Sequence, residues 1–231
     1  MRALAPSRVF ATPHRARNNR RRSISRAADV AAPLQRVVEY AEDESSWELH
    51  RGVPSEIQRD IDALIASARV DGGIENAVRG DGDWRVFCAP HIVRLATPLG
   101  VLFHPLRYVI REGTISSDVR HRGRFVPDGW LSASGTVRAT DSQTCEGMMR
   151  PACRIGFDTF WVGAGASADE PREFPGEGSS VIDAVINAVG KLGFVDAIAT
   201  FPVLFYDERA GVVIFQFPPL KSNIAAFRRR E

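Results

Sequence analysis

The stretch that decides the fold is residues 80–91, which read Gly-Asp-Gly-Asp-Trp-Arg-Val-Phe-Cys-Ala-Pro-His. Glycine and aspartate favour turns, so regular structure is not expected before Trp84. From Trp84 the residues become apolar and β-prone, which predicts a strand over Trp84–Leu95, interrupted by Pro90. An indole placed directly after a turn predicts a side chain that closes the narrow end of a small barrel.

The segment before this turn predicts an amphipathic helix. Ile57, Ile61 and Leu64 recur at helical spacing, so their side chains share one face. Pro54 falls in the first turn, where a missing N–H is tolerated, and Asp71-Gly-Gly73 ends the pattern. We therefore expect a helix over residues 53–68, followed by the turn.

The segments after the turn predict antiparallel strands. Residues 114–125 alternate: Ile115, Val119 and His121 point one way, and Asp118 points the other way with several arginines. Further strands are predicted over Leu106–Arg111, Trp130–Thr140, Arg154–Gly163, Thr200–Asp207, Val212–Phe217 and Asn223–Arg229, with a helix over Ser179–Leu192. Seven or eight strands at meander spacing, without βαβ alternation, favour a sheet that closes into a barrel.

Charge is distributed unevenly along the chain. Residues 1–35 contain eight arginines and one acid, a net charge of +7, whereas the remainder carries 22 basic and 27 acidic residues, a net charge of −5. A mildly acidic body argues against a nucleic-acid partner, which requires a basic face. The arginine-, serine- and alanine-rich leader predicts a plastid or mitochondrial transit peptide, with a basic tail that binds RNA or anionic membranes as the alternative.

This composition divides the chain into three parts. Residues 1–34 are expected to be a disordered transit peptide, residues 35–53 a linker, and residues 54–231 the barrel domain. Three cysteines form an odd, sparse set, which predicts buried free thiols in a reducing compartment; a redox pair of Cys145 and Cys153 is the alternative. No metal site or cofactor is expected, because the histidines are few and scattered. Cys88 and His91 resemble a nucleophile pair but have no third residue to orient them, so we expect no enzyme activity.

Gly82-x-Trp84 after a short helix is the pattern that opens lipocalin-type barrels. In that family an arginine of the final strand covers the tryptophan ring, a role that Arg228 or Arg230 fits here. The order of the helix, GDGDWRVFCAPHI, LRYVIREGTISSDVRH, GWLSASGTV and FDTFWV further resembles the plastid lipid-associated protein (fibrillin) family. The resemblance implies a lipocalin-like antiparallel barrel, with an N-terminal helix and a helix inserted before the last strands. It also implies a non-catalytic chloroplast protein of thylakoids or plastoglobules.

A lipid-associated barrel implies a hydrophobic interior and a hydrophobic partner. The expected ligand is a prenylquinone, carotenoid, fatty acid or other lipid, and a membrane or lipid-body surface is a further expected contact. Arg107, Tyr108 and His121 are the candidate anchors for a polar head group, with exposure on the surface the preferred interpretation of Arg107. Two alternatives remain: a structural coat protein of plastid lipid bodies with a filled core, and a barrel enzyme or haem-handling protein. The residues predicted to bind the ligand in a hydrophobic cavity are Trp84, Val86, Phe103, Tyr108, Ile115, Val119, His121, Trp130, Phe157 and Trp161.

Overall fold

The computed structural model describes residues 30–72, 81–123, 128–164, 170–171, 181–193 and 199–229. They form a closed barrel of eight antiparallel strands, in which each strand pairs with its neighbours in chain order and the last returns to the first. The strands are β1 Gly82–Cys88, β2 Val101–Arg111, β3 Thr114–Gly123, β4 Gly129–Cys145, β5 Met148–Ala164, β6 Thr200–Asp207, β7 Val212–Phe217 and β8 Ser222–Arg228. The predicted mainly β, lipocalin-like barrel is confirmed. The transit-peptide expectation lies outside the described residues, apart from its last five positions.

Helices cover part of this barrel. The helices are α1 at residues 30–42, α2 at Ser55–Ser67, α3 at Pro90–Ala96 and α4 at Val181–Gly193, with short 3₁₀ helices at Glu44–Trp47 and Leu49–Arg51. The predicted N-terminal helix is confirmed as α2, and the helix before the last strands as α4.

The prediction of a linker over residues 35–53 is wrong, because that segment is folded against the barrel. Val37 is fully buried in α1 and Leu49 is buried in the second 3₁₀ helix. The guanidinium of Arg36 donates to both carboxylate oxygens of Asp60, at 2.6 and 2.8 Å, and so joins α1 to α2. Residues 35–53 therefore belong to the folded body, which in the described part of the chain starts at residue 30.

Two apolar clusters lie on opposite sides of the sheet. The inner cluster fills the barrel and includes Trp84, Leu106, Ile155 and Phe215. The outer cluster lies between the helices and the outside of β1, β6, β7 and β8, and its members from those four strands are Phe87, Cys88, Leu204, Phe205, Val212, Ile214, Ala225 and Phe227. Burial on both faces explains why these strands have nearly continuous apolar sequences.

Several strand boundaries differ from the predictions. The first strand ends at Cys88, and Pro90 begins helix α3 instead of interrupting a strand. Proline is well suited to the first helical turn because its fixed φ matches the helix and no hydrogen bond is lost. Strands β4 and β5 are longer than predicted and meet at a tight turn, Glu146-Gly147, where both residues have positive φ.

Helix α4 lies against β5, beyond the short stretch where β5 pairs with β6. That pairing covers only Ala152–Arg154. Farther along β5, the backbone N–H of Phe160 donates to Asn187 Oδ1 at 3.1 Å, and that of Val162 donates to Asp183 Oδ1 at 3.3 Å. The polar side chains of α4 therefore supply acceptors that a neighbouring strand would otherwise provide.

Candidate functional site: the barrel interior

Trp84 closes one end of the barrel, as the sequence predicts. Its side chain is 2% exposed, and the guanidinium carbon of Arg228 lies 5.6 Å from the ring centroid. The ring of Tyr206 lies 6.5 Å from the indole. Gly82 has a φ of +149°, and a Cβ there would approach Arg228 Cδ to 2.9 Å, so the glycine lets the arginine cross over the indole.

Helix α3 lies at the other end of the barrel. Its His91 stacks on Phe217, with ring centroids 4.7 Å apart, and the Nδ1 atom is 3.1 Å from Ser222 Oγ. Burial lowers the pKa of His91 to about 4, so the imidazole is neutral at physiological pH. Ile92 and Val93 of the same helix pack against the inner cluster.

A cavity of about 50 Å³ lies inside the barrel, beside Trp84. Its surroundings are almost wholly apolar. The residues that line it are Trp84, Tyr108, Ile110, Ile115, Val137, Cys153, Ile155, Val203, Val213, Phe215 and Ala226. Burial raises the pKa of the Cys153 thiol to about 12 and also raises the pKa of Tyr108, so both groups are neutral.

Eight of the ten predicted ligand-binding residues lie on the inner side of the sheet. Trp84, Tyr108 and Ile115 line the cavity itself. The side chains of Val86, Val119 and Phe157 belong to the inner cluster. Phe103 pairs with His121, and both lie on the face shared by Val119, towards the end covered by α3.

The prediction is wrong for the other two residues, Trp130 and Trp161, because the strand register turns their side chains outward. Trp161 pairs with Ser132, Ser132 with Asp118, and Asp118 with Arg107. Directly paired residues share one face of the sheet, and this face is opposite to that of Trp84. Trp130 lies on the same outer face, where the guanidinium of Arg107 is 5.8 Å from its ring centroid.

The same register removes Arg107 from the candidates for a polar anchor. Its Nε donates to Asp118 Oδ2 at 3.1 Å on the outside of the barrel. Tyr108, the next residue, points inward and makes no hydrogen bond through its hydroxyl to any described residue. Of the three expected anchors, Tyr108 is the one that lines the cavity.

Most of the residues that line the cavity were not predicted from sequence. Ile110, Val137, Ile155 and Val213 each occupy an inward position of a strand, but their strands are apolar on both faces or carry register shifts. Strand pairing could have identified these positions, because directly paired residues share one face of the sheet. Ile110, for example, pairs with Ile115, which was correctly predicted to point inward.

The three cysteines are free and buried, as expected. Burial raises the pKa of Cys88 to about 12, so a thiolate does not form near neutral pH. Cys88 lies in the outer cluster, whereas His91 stacks on Phe217, so the structure does not assemble them as a nucleophile and base. Among the described residues, no group of three or more histidine, cysteine or acidic side chains is arranged to hold a metal ion.

Fold and interior together define a lipocalin-like barrel closed by a tryptophan. Within the described part of the chain, no helix has the length and apolar character needed to cross a bilayer. Comparisons with models of known protein families, with curated proteins and with solved structures give no match.

Proposed function

We propose that this protein is a non-catalytic lipid-associated protein of plastids, whose barrel holds a small hydrophobic molecule. The observation that carries the proposal is the cavity behind Trp84, where the polar side-chain groups of the lining residues are the Trp84 indole N–H, the Tyr108 hydroxyl and the Cys153 thiol. Pockets for hydrophobic ligands are lined in this way, with apolar walls and few polar groups that fix orientation.

The volume of the cavity restricts the ligand. Pockets that hold drug-sized molecules have volumes of about 300–1,000 Å³, against about 50 Å³ here. A complete prenylquinone or carotenoid does not fit inside the barrel as it stands. The proposed ligand is therefore a compact apolar molecule, or the end of an acyl or prenyl chain whose remainder lies outside the barrel.

Tyr108 supports binding of a ligand with one polar atom. Its hydroxyl has no hydrogen-bond partner among the described residues, and the ring of Phe215 lies 6.3 Å away across the same cavity. A ligand oxygen would accept a hydrogen bond from this hydroxyl inside the cavity, and such a bond contributes about 0.5–1.5 kcal/mol. Tyr108→Phe is expected to weaken binding of such a ligand about tenfold without changing its fit.

The proposal is tested by identifying what the protein captures. We would incubate the full chain with a plastid lipid extract, re-isolate it by gel filtration, and identify bound molecules by mass spectrometry. Ala226→Leu adds volume inside the cavity and should abolish capture, while the same change at exposed Ala63, on helix α2, should leave capture intact. No bound molecule on the wild-type protein, or equal capture by both variants, would contradict the proposal.

A second candidate function is a structural coat of plastid lipid bodies with a filled core. The small volume of the cavity favours this alternative. It predicts that no lipid is captured although the protein binds liposomes of plastid lipid composition. Fluorescent fusion of the full chain, imaged beside a lipid-body stain and chlorophyll fluorescence, tests the proposed location at plastoglobules or thylakoids.

A further inference from the structure

A separate cleft lies on the outside of the barrel, at the end covered by α3. It has a volume of about 150 Å³ and adjoins strands β2 and β3 and the 3₁₀ segments before α2. The residues that line it are Glu48, His50, Leu102, His104, Arg120 and Arg122. Four of the six side chains carry or can acquire a positive charge, and one carries a negative charge.

The single carboxylate of this cleft is already paired. Glu48 forms an ion pair with Arg51, and Arg122 donates to Asp128 Oδ2 at 3.0 Å. Arg120, His50 and His104 have no carboxylate partner within the described residues. The Nδ1 atom of His104 is buried and has no hydrogen-bond partner there. The cleft therefore presents an uncompensated arginine, with the ring of His104 beside it and the unsatisfied Nδ1 of that ring buried behind the surface.

The strands position these groups together. The alternation of β3 turns Arg120 and Arg122 outward, and Leu102 pairs directly with Arg122. An irregularity in β2 between Phe103 and Leu106 interrupts the pairing and includes His104. Irregularities of this kind redirect side chains, and here the result is a polar group beside Arg120.

An apolar cavity of about 260 Å³ adjoins this cleft. Most of the residues that line it are apolar, among them Leu49, Phe87 and Val93. The lining also includes the basic residues His50, Arg51 and Arg94 and no acidic residue. A small space of about 10 Å³ lies between the two, since it shares Leu49 and Val93 with the apolar cavity and Leu102 with the cleft. His50 lines all three spaces.

We propose that the cleft binds the phosphate group of an anionic lipid, whose chain lies in the adjoining apolar cavity. A guanidinium donates two parallel hydrogen bonds to a phosphate, and an imidazole N–H can donate a third. The apolar cavity beside the cleft is the reason for a lipid in place of free phosphate. This site is separate from the barrel interior, and it does not depend on the proposed function there.

The test uses octanoyl lysophosphatidate below its micelle concentration, compared with inorganic phosphate and with monooctanoylglycerol. Amide chemical shifts of the full-length protein report where each probe binds, so contacts with the arginine-rich residues 1–29 are distinguished from contacts at Leu102 and Arg120. We expect saturable shifts at the cleft, with lysophosphatidate binding at least tenfold more tightly than phosphate or the neutral lipid.

Paired variants distinguish binding at the cleft from a general effect of positive charge on the protein surface. The double variant Arg120→Gln, His104→Gln should raise the Kd for lysophosphatidate at least tenfold, because it removes both donors without a carboxylate partner. Arg138→Gln removes one positive charge from an exposed site on β4 and should change the Kd less than twofold. Thermal unfolding of each variant checks that the fold is retained.

Three results would overturn the inference. One is the absence of shifts at the cleft, and another is an equal loss of affinity in Arg138→Gln. The third is equal affinity for phosphate and lysophosphatidate, which would leave an anion site without a lipid chain. Ala226→Leu, which fills the barrel interior, should leave lysophosphatidate binding unchanged, so failure of one proposal is distinguishable from failure of the other.

Discussion

The two sides of the barrel differ in how their strands are buried. On the covered side, β6 is buried at seven consecutive positions, from Phe201 to Asp207, because helices α1 and α2 lie over its outer face. On the open side, β3 is buried only at Ile115, Asp118 and His121. One closed sheet thus contains strands of two kinds. Whether the outer face of a strand is buried depends on what covers that strand, not on the barrel itself.

The largest expected effect comes from a residue on the outer face of the covered side. Phe205→Ala should lower the free energy of unfolding by about 3–5 kcal/mol, because the ring is fully buried between the sheet and the helices. Arg138→Ala, on the exposed outer face of the open side, should change it by less than about 0.5 kcal/mol. Urea unfolding measures both changes in the free energy of unfolding. Similar losses at the two sites would mean that the outer faces of the two sides do not differ in what they contribute to stability.

Acid should weaken the end of the barrel covered by α3, through His91. Its pKa is lowered to about 4 in the folded protein, whereas an unfolded histidine has a pKa near 6.5. The unfolded chain binds this proton first as pH falls, so stability is complete above about pH 6.5 and declines towards pH 4. The expected loss is about 2 kcal/mol, and His91→Asn should remove this part of the pH dependence in unfolding measured between pH 7 and pH 4.5.

Substitutions in helix α1 test whether this helix is part of the covered side. Val37→Ala should cost about 1.5 kcal/mol, because this side chain is fully buried in the outer cluster. Gln35→Ala, on the exposed face of the same helix, should have an effect near zero. A Val37→Ala protein that unfolds like wild type in urea would restore the interpretation of residues 35–53 as a linker.

The smallest expected effect is at the end of the barrel that Trp84 closes. Arg228→Gln removes the guanidinium above the indole and its hydrogen bond to the Glu208 carbonyl, at 2.9 Å. We expect a loss of about 1 kcal/mol. Arg229→Gln, at an exposed neighbouring position, is the matched control. Tryptophan fluorescence during urea unfolding measures both, and equal losses would show that the contact with Trp84 contributes nothing particular.

Local sequence patterns predicted much of the fold. The Gly82-x-Trp84 spacing predicted the closed end of the barrel and an arginine above the indole, and the alternation of β3 assigned its faces correctly. Both signals are short in sequence and depend on the two-residue period of a strand. They were sufficient to predict a closed barrel but not the identity of most residues that line its cavity.

The errors come from information that is not local. Trp130 and Trp161 are large and apolar, as inward residues would be, but the pairing of β3, β4 and β5 turns them outward beside Arg107. Helix α1 was missed because its proline and acidic residues resemble a linker.

The side chains of α4 have a consequence for solubility. A strand whose N–H groups are unpaired along its length is a template on which other chains can add strands and aggregate. Asp183 and Asn187 occupy two of these donors on β5, and the bulk of a helix stands where an intruding strand would have to lie. One turn of helix, carrying two short polar side chains, thus protects this part of β5 against the addition of a further strand.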